Sequence, residues 1–134
     1  MEAALQAMAA QNVLDHLRWF DDDVVLDVEG APTVRTKARY FQENALALVP
    51  GTGVKLLNFE VKNVGSSGPD GQWVATTLTF EVTKDGRAFP GRQAEFEGRD
   101  SDAWYAVRGE RIVHVRVRSV PQVWRFRSGG SSPK

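Results

Sequence analysis

Cysteine is absent from the 134-residue chain, which excludes disulfides, thiolate zinc sites, iron–sulfur clusters and a cysteine nucleophile. Histidine is scarce: His16 and His114 are the two present, far apart and in no metal-ligand spacing, so no metal centre is expected. Neither sign of charge is in excess, because seventeen Lys and Arg face seventeen Asp and Glu. Without a global field, no nucleic acid or anionic membrane surface is expected as a partner. No apolar run approaches the roughly 20 residues that span a bilayer. No basic flank followed by an apolar segment stands at the beginning, and a cytoplasmic location is expected.

What is present is ordinary for a folded domain. Hydrophobic residues make up 42% and charged residues 25%, which argues against disorder, collagen-like repeats and coiled coil. The length suits one hydrophobic core. We expect a single domain over residues 1–127, followed by a flexible Ser/Gly-rich tail over 128–134.

Leu5, Met8, Ala9, Val13, Leu17 and Phe20 line one face of an amphipathic helix. The acidic run Asp21–Asp23 stops it, and Val24, Val25, Leu26 and Val28 read as a first strand. Gly30, Ala31 and Pro32 break that strand. Thr33 is the expected N-cap of a second helix with apolar positions Val34, Ala38, Phe41, Ala45 and Leu48, ended by Val49, Pro50 and Gly51.

From Val54 the period changes to two, the signature of strands. A strand begins at Val54, the loop Gly65–Gly71 separates it from Trp73–Thr83, and Lys84-Asp85-Gly86-Arg87 suits a tight hairpin. Pro90 and Gly91 interrupt the return strand, a long strand runs from about Gln93 to Val107, and after Arg108-Gly109-Glu110 a last strand returns over Ile112–Val120. Helices first and a long antiparallel meander afterwards give the α+β class, a curved sheet covered by helices.

This order of elements resembles the nuclear transport factor 2-like superfamily, whose members include SnoaL-type polyketide cyclases, ketosteroid isomerases, scytalone dehydratase and limonene epoxide hydrolase. Trp19-Phe20-Asp21-Asp22-Asp23-Val24-Val25 looks like the family's aromatic-Ala-Asp-Asp-Val approach to the first strand. Gly109-Glu110-Arg111-Ile112-Val113 looks like its Gly-Lys-Ile hairpin into the last. The resemblance implies a cone-shaped, cystatin-like α+β barrel with a pocket between the concave sheet face and the helices. It also implies a hydrophobic small molecule as ligand, and acid–base chemistry without a cofactor as one use of the pocket; a non-catalytic binding or dimerisation domain is the alternative.

Strand parity assigns Leu57, Phe59, Val61, Val74, Leu78, Phe80, Val82, Phe96, Trp104, Val113, Val115 and Val117 to the concave face. Tyr40, Phe59, Phe80, Phe96, Trp104, Val115 and Val117 are the candidate ligand-binding residues. The parity of Phe96 and Trp104 turns Asp100 and Asp102 inward too. Asp102 stands ten residues before Ile112, where the ketosteroid isomerases carry a carboxylic acid. Set among apolar neighbours, its pKa is expected to rise and fit it for proton donation. The competing reading is a bulge near Gly98 that leaves Asp102 in solvent or paired with Arg99. Asp100 and His16 are the other catalytic candidates, His16 as a proton relay. The isomerase base position falls at Val28, between Asp27 and Glu29. Trp73, His114, Arg116, Arg118 and Trp124 are expected on the convex face, in a homodimer contact.

Overall fold

The computed structural model describes residues 1–68, 71–83 and 95–127. The expected Lys84–Arg87 hairpin turn, the Pro90–Gly91 interruption and the 128–134 tail lie outside the described residues, as do the side chains of Phe96 and Trp124.

The first amphipathic stretch forms two helices, α1 (Glu2–Ala9) and α2 (Val13–Leu17). Gln11, at φ 54°, interrupts the helical ladder, and Asn12 caps the second helix by accepting from the Asp15 amide at 3.2 Å. The first strand, β1 (Phe20–Val28), runs through the acidic residues that were expected to precede it. Phe20 and Val24 are buried while Asp22 and Asp23 between them stay in water, because the pairing with the last strand shifts register between Phe20 and Val25 and breaks strict alternation there.

Val34 and Arg35 were expected within the second helix. They form a two-residue strand, β2, paired antiparallel to β1 through Val25↔Arg35 and Leu26↔Val34. The helix α3 (Lys37–Leu48) starts later, with Thr36 as its N-cap accepting from the Arg39 amide. Thr33, the expected cap, turns its hydroxyl to Asp27.

The long strands follow as β3 (Val54–Gly68), β4 (Gly71–Thr83), β5 (Glu95–Arg108) and β6 (Arg111–Arg127). They complete a curved six-stranded sheet in the order β2-β1-β6-β5-β4-β3. All neighbours are antiparallel except β1 and β6, whose parallel pairing sets Leu26, Asp27 and Val28 beside Val115, Arg116 and Val117. Gly109 and Glu110 both have positive φ, the conformation that closes a two-residue hairpin without splaying its strands. The domain is α+β, with Leu5 and Met8 of α1, and Tyr40 and Leu48 of α3, packed on Leu56, Leu78, Tyr105, Ile112 and Val115 of the sheet. Among the described residues, no helix is long and apolar enough to cross a membrane.

The inner face corrects the expected parity in three strands. In β5 it is Ala103 and Tyr105 that are buried, paired with Val117 and Val115 of β6. Asp102 and Trp104 therefore lie on the outer face, as does Asp100. The aromatic size of Trp104 made it look like a core residue, but Arg118 covers its ring at 5.5 Å on the side away from the helices. In β6 a register shift opposite Ala106 and Val107 turns Ile112 into the core beside Val115, so strict alternation through Val113 does not hold. A similar shift between Leu56 and Asn58 buries Leu56 and leaves Leu57, an expected core residue, 41% exposed.

Candidate functional site

His16 and Tyr40 come together from α2 and α3. The Tyr40 hydroxyl stands 2.8 Å from His16 Nε2, and His16 Nδ1 stands 2.6 Å from the Ala4 carbonyl oxygen. A carbonyl oxygen only accepts, so Nδ1 carries the imidazole proton and Nε2 accepts from the phenol. Both residues are sealed, His16 at 0% and Tyr40 at 1% exposure. The Phe20 ring lies 4.7 Å from the imidazole and 4.3 Å from the phenol. Burial pushes the His16 pKa down to about 4, against a smaller opposing effect of the Ala4 hydrogen bond. Burial, with Tyr105 nearby, pushes Tyr40 well above its ordinary value. At neutral pH the pair is uncharged and internally satisfied, a strut tying α1, α2 and α3 together rather than a relay open to a ligand.

Asp102 stands in the opposite environment from the expected one. Arg118 Nη2 donates to it at 2.8 Å, Lys62 Nζ is 3.8 Å away and the Thr77 hydroxyl 3.4 Å. The Arg118 hydrogen bond, aided by the Lys62 charge, holds its carboxyl below the usual range although partial burial works the other way. An ionised, arginine-paired carboxylate holds no proton to donate at neutral pH. Asp100 accepts from Thr79 at 2.9 Å on the same outer face. Phe59, Phe80 and Val117 pack against the core from the inner face, and Val115 is fully within it.

Two clefts flank β1. On the inner side, Leu26 and Val28, the β1–β2 connection at Ala31 and Pro32, and Val34 make an apolar floor and wall. Arg39, Glu43 and Asn44 of α3 face them across a cleft of about 410 Å³. Arg39 and Glu43 sit one helical turn apart, so both project on one side. Asn44 is oriented by donating to the Tyr40 carbonyl at 2.9 Å. Of the residues around this cleft, Val28 alone carries a functional signal in the sequence, as the isomerase base position. The others meet there because α3 lies against the β1–β2 ribbon, a contact that no local pattern encodes.

On the outer side, Asp27, Glu29, Trp73, Trp104, Arg116 and Arg118 line a cleft of about 550 Å³. Arg116 lies over Trp73 at 5.2 Å, and the His114 ring meets the same indole at 5.1 Å. His114 Nε2 is 2.6 Å from Asp27 Oδ2, and the Thr33 hydroxyl donates to Asp27 Oδ1. Those two hydrogen bonds, Thr33 first, hold the Asp27 carboxyl below its ordinary value. Among the described residues, no three His, Cys, Asp or Glu side chains are grouped to hold a metal ion.

No protein-family model matches the sequence, and no curated protein matches it significantly. Solved structures do match the fold. An NTF2-like protein from Anabaena variabilis superposes with a TM-score of 0.61 at 16% identity, covering 90% of this chain and 84% of that one. An LEH-like epoxide hydrolase of M. tuberculosis gives 0.59 at 18% identity, covering 89% and 78%. A ketosteroid isomerase-like protein from Erwinia carotovora atroseptica gives 0.57 at 16% identity, covering 90% and 91%. The chain has the nuclear transport factor 2-like fold. At these identities the likeness is one of fold, and sites must be argued from the residues themselves.

Proposed function

We propose that this domain binds an apolar small molecule with one polar end in the inner cleft between α3 and the β1–β2 ribbon. The observation that carries the reading is the division of that cleft into an apolar side, Leu26, Val28, Ala31, Pro32 and Val34, and a polar side, Arg39, Glu43 and Asn44. Ligand sites combine a mostly apolar lining with a few converging polar groups. The role is binding rather than acid–base catalysis, since the expected acid Asp102 is ionised on the other face and His16 is sealed in the core.

Titration with the anionic, apolar fluorophore 1-anilinonaphthalene-8-sulfonate tests this. Saturable binding is expected, abolished by Val34→Trp, which fills the cleft, and weakened about tenfold by Arg39→Glu, roughly the effect of one lost charge contact. Unchanged affinity in both variants would sink the reading.

A separate observation favours self-association as a second property. The outer face combines half-buried Trp73 and Trp104 with Arg116, Arg118, Asp27 and Asp102, and the helices pack on the other side of the sheet. Aromatic and arginine side chains are enriched in protein interfaces, and a face that carries both signs of charge can be self-complementary across a two-fold axis. Light scattering at micromolar concentration is expected to give the mass of two chains, reduced to one by Trp104→Glu. A one-chain mass for the unaltered protein refutes it.

A further inference from the structure

We infer that Asp27 is a positioning residue that clamps the wall of the inner cleft to the outer face of the sheet. The inference rests on reading the inner cleft as a ligand site, and it names what holds that site in shape. Asp27 lies between Leu26 and Val28, whose side chains floor the inner cleft, but strand alternation sends its own side chain to the outer side. The β1–β2 connection that follows, residues 29–33, is exposed throughout. Its Ala31 and Pro32 nevertheless form part of the cleft wall, so burial does not hold them in place.

Hydrogen bonds do. The Glu29 amide donates to the Val117 carbonyl at 3.0 Å and the Ala31 amide to the Val28 carbonyl at 3.0 Å, which fix the near end of the connection. The far end is tied by Thr33, whose hydroxyl donates to Asp27 Oδ1. The second oxygen of the same carboxylate takes His114 Nε2 at 2.6 Å, with Arg116 Nε 4.0 Å away. His114 is in turn seated against Trp73. One carboxylate therefore spans from the wall of the inner cleft, through Thr33, to the aromatic and cationic groups of the outer face. Displacing His114 or Arg116 on the outer side releases one oxygen of Asp27 and loosens the orientation in which the other holds Thr33. The clamp makes the shape of the inner cleft depend on the state of the outer face.

The experiment compares Thr33→Val, Thr33→Ser and His114→Phe with the unaltered protein, reading amide exchange by NMR and affinity for 1-anilinonaphthalene-8-sulfonate. Thr33→Val keeps the side-chain shape and loses the donor. It is expected to raise exchange at the Glu29 and Ala31 amides about tenfold, a local opening, and to weaken the fluorophore, while amides of Leu56 and Leu78 stay protected. Thr33→Ser, which restores the hydroxyl, is expected to recover both. His114→Phe keeps a ring against Trp73 but loses Nε2, and is expected to raise exchange at the same two amides by a smaller factor. Unchanged exchange in Thr33→Val, or failure of Thr33→Ser to recover it, overturns the clamp. Unchanged exchange in His114→Phe overturns its extension to the outer face. If the unaltered protein does not bind the fluorophore, the ligand reading fails by itself, and the exchange data still decide the clamp.

Discussion

Acidification from pH 7 to pH 4 is expected to remove about 3 kcal/mol of stability through His16 alone. In the folded protein its pKa is pushed down to about 4 from the ordinary 6.5, because burial penalises the imidazolium. The unfolded chain therefore binds more protons between those two values, and stability must fall as pH falls through that window. The contribution is complete above pH 6.5 and spent near pH 4. The structural reason is that both ring nitrogens are already committed: Nδ1 donates to Ala4, and a second proton on Nε2 would face the Tyr40 oxygen in a site without water access.

Asp27 and Asp102 act in a different range. Their depressed pKa values stabilise the fold above the ordinary carboxylate value of 3.8, and that part is lost only as pH falls below it. Urea unfolding at intervals from pH 7 to pH 4 measures the slope. His16→Gln, which does not titrate here, is expected to flatten it whatever its own stability. A flat profile in the unaltered protein would mean that His16 titrates normally and is not sealed.

Truncation of Phe20 to alanine is expected to cost about 3–5 kcal/mol, a large share of the roughly 5–15 kcal/mol typical of a domain. The ring is 0% exposed and touches both members of the polar pair, His16 at 4.7 Å and Tyr40 at 4.3 Å. Its loss removes aromatic packing and opens a space beside two groups that depend on exclusion of water. Thermal unfolding should shift down by roughly 10–20 °C for a chain of this size. The His16 pKa should rise toward its ordinary value in the same variant, so the acid-dependent slope narrows. A loss below about 1 kcal/mol would mean that the neighbouring side chains collapse into the space.

Much of the fold was readable because it depends on local patterns. Apolar residues at helical spacing located the residues that α1 and α3 bury, such as Leu5, Met8 and Leu48, and alternation located Val74 and Leu78 on the inner face of β4. The β5–β6 turn was readable from Arg108-Gly109-Glu110, since positive φ at Gly109 closes the hairpin. The candidate site was readable in fragments. His16 and Tyr40 could be selected as polar residues at the edges of apolar helix faces, but their contact spans separate helices, and nothing local brings them within 2.8 Å. The facing of Asp102 was not readable from the aromatic residues Phe96 and Trp104 that share its parity, because Trp104 is an outer-face residue stacked with Arg118.

The sequence by itself determined the α+β class and the order of the main helices and long strands, because these follow from period, turn residues and length, while the resemblance to the nuclear transport factor 2-like fold rests on the segments Trp19–Val25 and Gly109–Val113. Tertiary structure alone decided which way β5 faces and where β3 and β6 change sides. Register shifts at Leu56–Asn58 and Ala106–Val107 exchange the two faces of a strand, and they arise from pairing with neighbours far away in the chain. The same long-range pairing seals His16 against Tyr40, ionises Asp102 beside Arg118, and puts Asp27 between two clefts that no contiguous stretch of residues encodes.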